Sequence, residues 1–406
     1  MLRRRTTPAP SDRAARRARA RKKGAGRSAH LGACPSAGMG MPIFRITTIA
    51  EAFQGTQNRF TLVRLGLASA VLVEHAVIVT QGPGQPPPLA LHGWSLSYAA
   101  VNAFFIVSGF LIAASLDRRK NTISFAVARA LRIMPALVVL SLVAVFLVGP
   151  LVTTVTAGEY WSSAATWRFP LQVLSFLDTS QGPAGVFAGN PWSGEFSAPL
   201  WTLRYEVLAY IGAGVLVLSP LPWTHRTALI LYLATTLGHA LLSGAGQDLP
   251  GLLTASARLS APFALGMLIH ALRHSWPVSP WPAATAVGVW WLAGASPLAE
   301  PFLNLALATG LFWIAFAPLG GLPTGHRMPD WSYGIYIWHY PVMQAVLVMD
   351  PGAGPVETGL AALVVTMPIA AASWHYVERP SLSLKVPAAQ LLRTAIRMIV
   401  QMGRQC

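Results

Sequence analysis

Ten long apolar stretches follow one another along most of this chain and leave little sequence for a soluble domain. Hydrophobic residues make up 53% of the chain and charged residues only 11%, whereas roughly a quarter of a soluble domain is charged. A helix that crosses a bilayer needs about 20 predominantly apolar residues. We therefore predict an all-α polytopic integral membrane protein with about ten transmembrane helices. The predicted stretches are 62–80, 99–116, 133–153, 201–218, 227–243, 251–270, 283–298, 302–318, 332–349 and 358–376.

Basic residues in the short loops indicate the orientation of these helices. If the N-terminus is cytoplasmic, every predicted inner loop contains Arg or Lys, and the predicted outer loops contain one basic residue, Arg168. Short cytoplasmic loops of membrane proteins carry an excess of Lys and Arg. The pattern therefore predicts that both termini lie in the cytoplasm.

The N-terminal segment differs from the rest of the chain in composition. Residues 1–27 contain eleven Arg or Lys residues and one acid, Asp12, and no apolar core typical of a signal peptide follows them. Such a basic, Ala/Pro/Gly-rich segment is typical of disorder. Three interpretations are an anchor on anionic lipid, a nucleic-acid-binding arm, and translation upstream of the true start. We assign residues 1–57 to a basic disordered tail, 58–380 to a transmembrane domain and 381–406 to a basic cytoplasmic tail, and we expect no nucleic-acid partner.

The first apolar stretch contains Arg64, Glu74 and His75, and each is costly in hydrocarbon. Arg64 and His75 are eleven positions apart, which at about 100° per residue is close to three full turns, so both lie on one helix face. The separation along the axis is about 16 Å. Histidine is suited to proton transfer near neutral pH. Snorkelling of Arg64 and a simple interhelical hydrogen bond of His75 remain open as structural alternatives.

Other polar residues also fall within or beside apolar stretches. Arg129 and Arg132 share a helix face at i, i+3, and two guanidinium groups at the inner surface suit a phosphate-bearing ligand. A positive-inside anchor is the alternative. Glu206, Arg258 and His339 each need a partner, a cavity or a packing role. No group of His and Cys has the spacing of a zinc site, so no metal is expected.

Seven motifs in register resemble the acyltransferase 3 family of integral-membrane O-acyltransferases, the O-antigen and exopolysaccharide acetylases. They run from about residue 58 to about 380 and begin with the pair Arg64 and His75. The other six are "VNAFFIVSGFLI" (101–112), "RALRIMP" (129–135), "LWTLRYE" (200–206), "ARLSAPFALG" (257–266), "SYGIYIWHYP" (332–341) and "VERP" (377–380). The chain departs from the family pattern at Asn102, Thr202 and Arg204.

The resemblance implies transfer of an acyl group from cytoplasmic acyl-CoA, commonly acetyl-CoA, to a hydroxyl group. The acceptor is expected to be a glycan, a lipid-linked sugar or a small molecule, and the enzyme is expected in a bacterial inner membrane. We expect His75 to deprotonate the acceptor hydroxyl, directly or after an acyl-histidine step, with Glu206 orienting it. Arg129 and Arg132 are expected to bind the phosphates of acyl-CoA, while Arg64 binds pantetheine oxygens or stabilises the oxyanion.

The acceptor side is assigned to four further residues, His339, Tyr336, Ser108 and Arg258. Packing is the first interpretation of Ser108, which lies in an "SGF" turn. Three alternative functions stay open: a transporter or exporter without acyl-transfer chemistry, a non-catalytic assembly or sensor protein, and an acyltransferase with another acyl group or acceptor.

Overall fold

The structure is a computed structural model and describes residues 47–53, 58–119, 122–177, 179–244, 249–319, 323–324 and 328–402. Most of the predicted N-terminal tail, residues 1–46 and 54–57, lies outside the described residues, as do residues 403–406. Of the predicted N-terminal tail, the structure therefore describes residues 47–53.

Within the described ranges the chain is helical, with isolated β-bridges and no strand. The helices are α1 (Ile49–Ala52), α2 (Phe60–Gln81), α3 (Leu96–Arg119), α4 (Thr122–Val143), α5 (Gly149–Val152), α6 (Ala157–Ser162), α7 (Ala164–Leu174), α8 (Trp201–Leu218), α9 (His225–Gly244), α10 (Gly251–Ala271), α11 (Pro280–Ala293), α12 (Ala299–Phe316), α13 (Ser332–Met349), α14 (Pro355–Ala372), α15 (Arg379–Ser383) and α16 (Lys385–Met402). Turns of π-helix, Ala144–Val148 and Ser373–Glu378, join α4 to α5 and α14 to α15.

The all-α class is confirmed, and a helix occupies each of the ten predicted apolar stretches. Among the described residues, seven helical segments are long and apolar enough to cross a membrane. They are α2, α3, α4 with α5, α9, α10, α12, and α14 with α15. The other three, α8, α11 and α13, are helical at the predicted places. The number of ten spans and the cytoplasmic location of the termini therefore stay predictions.

Helix α13 lies at the centre of the packing. It contacts α2 and α14, and almost every residue from Ser332 to Gln344 is buried. The contact with α14 is close because Gly334 has no side chain: a Cβ atom there would lie 2.8 Å from the Cα atom of Ala370. The apolar residues of α13 therefore pack against other parts of the protein, and its polar residues have partners inside the bundle.

Helices α3 and α10 pack backbone to backbone through two glycines. A Cβ atom on Gly109 would lie 2.0 Å from the carbonyl oxygen of Phe263, and one on Gly266 would lie 2.0 Å from that of Ile106. Small residues at membrane helix interfaces permit such close approach. This contact fixes the position of the "FFIVSGF" segment of α3.

The long segment between α5 and α8 folds over one end of the bundle. Its interior contains the buried rings of Phe169, Phe187 and Phe196. The Trp192 indole donates to the Ile78 carbonyl at the end of α2 (2.8 Å). The Gln344 amide of α13 donates to the carbonyls of Trp192 and Glu195, at 2.9 and 2.8 Å. The segment is thus held against the ends of α2 and α13, where it forms the wall of a cavity.

Two segments that the sequence analysis assigned to tails pack against the bundle. Ile49 in α1 is fully buried, and its N–H donates to the Trp276 carbonyl (3.0 Å). Helix α16 lies against α4, and Arg393 donates to the Ser124 hydroxyl (2.5 Å). The packed part of the chain therefore includes residues 47–53 and extends beyond residue 380.

Candidate active site

Arg64 and His75 both face the chain segment that leads into and forms α13. Arg64 Nη1 lies 2.6 Å from the Asp330 carboxylate, two residues before α13 begins. His75 Nδ1 lies 2.8 Å from Nε2 of His339. The prediction that Arg64 and His75 share one helix face is confirmed, and both side chains have polar partners on the same neighbouring element.

The two histidines form a directed hydrogen-bond chain. His339 is fully buried, and its Nδ1 lies 2.8 Å from the Ile335 carbonyl, which can only accept. Nδ1 of His339 therefore carries the proton, and in the neutral ring Nε2 accepts from Nδ1–H of His75. The two ring planes are 14° apart, with centroids 5.1 Å apart, as expected for rings joined edge to edge through their nitrogens. In the neutral pair, Nε2 of His75 consequently keeps a free lone pair.

A cavity of about 560 Å³ adjoins His75 at the end of the bundle covered by the long segment. We call it the outer cavity. Several aromatic rings line it together with Glu195, Arg204 and small hydroxyl side chains. The lining residues are His75, Ile78, Leu177, Thr179, Ser180, Trp192, Glu195, Ala198, Trp201, Arg204, Tyr205 and Tyr340. Tyr340 donates to Glu195 (2.8 Å), and its ring lies edge-on to His75.

A smaller cavity of about 50 Å³ adjoins Arg64. We call it the inner cavity. Apolar side chains of α3 and α8 form much of its wall. The lining residues are Arg64, Val101, Phe104, Phe105, Ser108, Thr202, Leu203, Glu206, Ser332, Tyr333 and Tyr336. Four predicted site residues, Arg64, Ser108, Glu206 and Tyr336, thus meet here.

One hydroxyl pair separates the two cavities along α8. Thr202 lines the inner cavity, its neighbour Trp201 lines the outer one, and the Thr202 and Tyr336 hydroxyls are 2.7 Å apart. The Tyr336 and His339 rings have centroids 6.4 Å apart. Arg64 and His75 therefore line different cavities, and the Thr202–Tyr336 contact lies between the two linings along α8.

An ionic cluster closes the far side of the inner cavity. Oδ2 of Asp330 lies 2.6 Å from Arg64 and 2.7 Å from Arg132, and Arg132 also lies 3.2 Å from Glu378. The Ser332 hydroxyl donates to the other Asp330 oxygen (2.6 Å). Burial alone would raise the pKa of Asp330, but the Arg132 and Arg64 charges outweigh it and bring the pKa down to about 2.

Arg129 and Arg132 do not form one phosphate-binding fork. The guanidinium group of Arg132 is 13% exposed and already paired with two carboxylates. Arg129 lies over the Tyr210 ring, 5.7 Å from its centroid, in an apolar cavity between α4 and α8. The Tyr210 hydroxyl donates to Glu206. The two arginines are three positions apart on α4, but Arg132 is paired with Asp330 and Glu378, whereas Arg129 contacts the Tyr210 ring of α8.

Arg258 lies outside the linings of both cavities. Its guanidinium group stacks on the Tyr98 ring, 3.6 Å from the centroid, and donates to Asn102 (3.2 Å). Tyr98 donates to Glu300, which also lies 2.7 Å from His239. This network gives the Arg258 guanidinium group partners within the protein, although its buried Nε has no hydrogen-bond partner among the described residues. The group also lies 6.0 Å from the centroid of the Trp201 ring, which lines the outer cavity, and the assignment of Arg258 as a substrate-binding residue stays a prediction.

Glu74 is fully buried and points away from the histidine pair. It accepts a hydrogen bond from the Ser97 N–H in the first turn of α3. A carboxylate at a helix N-terminus satisfies a free N–H and favours the helix dipole. Glu74 thus fixes α3 against α2. Its position about 100° round the helix from His75 agrees with this contact.

The comparisons with known proteins identify the family of the chain. A family model described as an acyltransferase domain matches residues 58–375. The chain belongs to the acyltransferase 3 family. It is similar to an O-acetyl transferase of Shigella phage Sf6, at 28% identity over 82% of this chain and 98% of the relative. It is also similar to Nodulation protein 10 of Rhizobium leguminosarum bv. viciae, at 29% identity over 82% of this chain and 96% of the relative.

A third relative is the Exopolysaccharide production protein ExoZ of Rhizobium meliloti (strain 1021), at 28% identity over 72% of this chain and 91% of the relative. No solved structure matches the chain. Membership of the acyltransferase 3 family makes the protein an O-acyltransferase, as the sequence motifs predict. It thereby also removes support for the alternatives of a pure transporter and a non-catalytic protein.

Asp330 and Glu378 were not among the site residues predicted for this acyltransferase 3 family member. Both were visible in the sequence: Asp330 stands just before the "SYG" motif, and Glu378 is the acid of "VERP". Arginines within a membrane bundle need partners, so an acidic residue at the end of an apolar helix is expected to pair with one of them. Glu195, which bonds Tyr340 at the outer cavity, was also missed, and its place in a long loop gave no such signal. Among the described residues, no group of three or more His, Cys, Asp or Glu could hold a metal ion.

Proposed function

We propose that this O-acyltransferase moves a short acyl group, acetyl, from cytoplasmic acyl-CoA to a hydroxyl group of a glycan bound in the outer cavity. His75 acts as the general base. One observation carries the proposal: Nδ1 of His75 lies 2.8 Å from Nε2 of His339, whose Nδ1 faces the Ile335 carbonyl, and His75 lines the outer cavity. With Nδ1 as the donor, Nε2 of His75 keeps its lone pair. That nitrogen is the atom a general base needs.

The direct transfer step follows from this geometry. Nε2 of His75 takes the proton of the acceptor hydroxyl while its oxygen attacks the thioester carbonyl carbon. The tetrahedral intermediate then expels the CoA thiolate, which takes the proton back from His75 and leaves as CoA thiol. The products are the O-acyl ester and free CoA, and His75 returns to its starting form. A two-step path would place the acyl group on the same nitrogen first.

His339 is a positioning residue in this scheme. It has no contact with the outer cavity, and its Nε2 accepts from His75 while its own Nδ1–H is fixed on the Ile335 carbonyl. It therefore selects the His75 tautomer whose lone pair faces the acceptor. It also accepts a stronger hydrogen bond when His75 becomes positively charged.

The outer cavity suits a glycan acceptor. Its size, about 560 Å³, is within the range of ligand pockets. The rings of Trp192, Trp201 and Tyr205 offer flat apolar surfaces, while Glu195 and Arg204 offer polar partners for hydroxyl groups. The printed names of the relatives, an O-acetyl transferase and an exopolysaccharide production protein, support an acceptor of this class.

The donor approaches from the side of Arg64. Its thioester occupies the inner cavity, where Arg64, Ser108 and Glu206 lie among the polar lining residues. The acyl carbonyl then meets the acceptor where the Thr202–Tyr336 hydroxyl pair lies, so this contact has to open. Arg64, Arg129 and Arg132 form the basic side of the bundle that attracts a polyanionic donor. Arg132 must exchange a carboxylate for a phosphate if it binds CoA directly.

The orientation of the chain is part of the same proposal. We infer that α8, α11 and α13 also cross the bilayer, which gives ten spans with both termini in the cytoplasm of a bacterial cell and the enzyme in its inner membrane. Loop arginines support this orientation. Cysteines introduced at exposed Ser162 and Thr394 test it: a membrane-impermeant maleimide should label only Ser162→Cys in intact spheroplasts.

The decisive experiment is acyl transfer by membranes that contain the chain. Labelled acetyl-CoA is added to inverted vesicles, with surface polysaccharide of the encoding organism, de-esterified by mild base, sealed inside. The full chain should release free CoA and produce base-labile label on the polysaccharide. His75→Ala should remove both products while the protein remains inserted. His375→Ala, whose side chain is exposed and outside both cavities, is the matched control.

Two results would contradict the proposal. Full transfer by the His75→Ala variant would remove His75 from the reaction. If vesicles with the unaltered chain took up the label but released no free CoA, the result would indicate transport rather than acyl transfer.

A further inference from the structure

One aromatic ring stands between the inner cavity and a third space in the protein. That space, which we call the lateral cavity, has a volume of about 490 Å³. It lies among α8, α9 and α10, and leucine, alanine and valine side chains make up much of its lining. Phe105 of α3 lines the inner cavity and the lateral cavity alike. Phe105 is only 5% exposed and belongs to the buried hydrophobic core.

The two cavities differ about tenfold in size, about 50 against about 490 Å³. A space of about 50 Å³ holds only a few water-sized groups. It accommodates a two-carbon acyl group and excludes a chain of six carbons. The lateral cavity, at about 490 Å³, has room for such a chain, and its apolar lining would favour it. Phe105 of α3 is the residue that the two linings share.

We propose that Phe105 sets the acyl-chain length of the donor by closing the inner cavity against the lateral cavity. The inference rests on the proposed function, because it requires the acyl group to occupy the inner cavity. Removal of the ring joins the two spaces and gives a longer acyl chain an apolar path between α8 and α10. Phe105 is thus a specificity-determining residue, and it takes no part in the proton transfer at His75.

The chain offers a matched control beside it. Phe104 has the same side chain and also lines the inner cavity, but it does not line the lateral cavity. Phe104→Ala therefore enlarges the inner cavity without connecting it to the space between α8 and α10. A second control refills that space: Gly212 lines the lateral cavity, and a Cβ atom there would meet nothing within 4 Å. Gly212→Leu in the Phe105→Ala background puts apolar bulk where the longer chain would lie.

Competition binding to membranes tests the proposal without knowledge of the acceptor. Displacement of labelled acetyl-CoA by unlabelled acetyl-CoA and by hexanoyl-CoA is measured for each form of the full chain. Hexanoyl-CoA should compete at least about tenfold less well than acetyl-CoA with the unaltered chain, the lower end of the effect of a methylene in a filled pocket. In Phe105→Ala the two should compete about equally. Phe104→Ala enlarges only the inner cavity and should improve competition by hexanoyl-CoA less than Phe105→Ala does, and Phe105→Ala/Gly212→Leu should regain the preference for acetyl-CoA.

Two outcomes overturn the assignment of Phe105. One is an unaltered chain that binds hexanoyl-CoA as well as acetyl-CoA. The other is a Phe105→Ala variant that binds acetyl-CoA with unchanged preference; if that variant fails to fold, Phe105→Val, which shortens the ring side chain but keeps apolar bulk, takes its place. Failure of the unaltered chain to bind any acyl-CoA would instead contradict the proposed function, so the two failures are distinguishable.

Discussion

The two cavities on either side of the Thr202–Tyr336 contact are built in opposite ways. The inner cavity is about 50 Å³ and is closed by a cluster of two arginines and two acids. The outer cavity is about 560 Å³, and its walls come largely from the long segment between α5 and α8. Closely paired charges hold the inner cavity in one shape, whereas the wide aromatic wall of the outer cavity leaves room for ligands of varied size. Under the proposed function, the donor would thus bind in the rigid cavity and the acceptor in the roomy one.

The largest expected effect comes from breaking the ionic cluster. Asp330→Asn leaves Arg64 and Arg132 without their shared carboxylate, and loss of one partner from a buried ion pair costs roughly 3–5 kcal/mol of folding free energy. We expect a large drop in the unfolding temperature measured in detergent. Asp117→Asn is the matched control: its pair with Arg273 is surface-exposed (3.1 Å), so its loss should cost at most about 1 kcal/mol.

The pH dependence of this cluster has a defined sign. Because the pKa of Asp330 falls from 3.8 to about 2 on folding, its contribution to stability is fully present above about pH 4. It is lost as the pH falls from about 4 towards 2. Stability that already fell between pH 7 and pH 5 in the unaltered chain and not in Asp330→Asn would contradict this assignment.

The second effect separates positioning from base chemistry in the outer cavity. His339→Leu removes the acceptor for Nδ1–H of His75, and kcat should fall by about 10- to 100-fold, the range found for orienting partners of functional histidines. His339→Gln retains an acceptor oxygen and should recover much of the rate. The acceptor KM should stay unchanged in both variants. A parallel rise of KM would place His339 in acceptor binding, as the sequence analysis expected.

Sequence reasoning reached the helices and the shared face of Arg64 and His75 because both follow from local periodicity. A run of apolar residues specifies a helix, and 100° per residue specifies a face. The division into two cavities was beyond such reasoning. It depends on a contact between Thr202 and Tyr336, which are 134 positions apart in the chain.

The arginines show the same limit more sharply. The spacing of Arg129 and Arg132 fixes their relation to each other but not to their neighbours. In the structure Arg132 forms ion pairs with Asp330 and Glu378, whereas Arg129 lies over the Tyr210 ring. Local sequence therefore predicts which residues are charged within the bundle, while the tertiary packing decides which of those charges remain free for a ligand.

The third effect concerns the contact between the cavities. Thr202→Val keeps the shape of the side chain and removes the hydroxyl that lies 2.7 Å from Tyr336. One buried hydrogen bond contributes about 1 kcal/mol, so the closed arrangement should weaken by roughly fivefold in population. We expect faster hydrolysis of acetyl-CoA without acceptor, measured as CoA release in its absence. An unchanged release would show that this contact does not limit passage between the cavities.

The smallest effect is expected at the outer wall. Tyr340→Phe removes the hydrogen bond to Glu195 but keeps the ring against His75, so only acceptor placement should change. The acceptor KM should rise about two- to tenfold, about the value of one net hydrogen bond, with kcat and the acetyl-CoA KM unaltered. An equal loss in kcat would mean that the hydroxyl acts at the reacting atoms. The outer cavity would then be as tightly built around its ligand as the inner one, and the contrast between a rigid donor site and a roomy acceptor site would no longer hold.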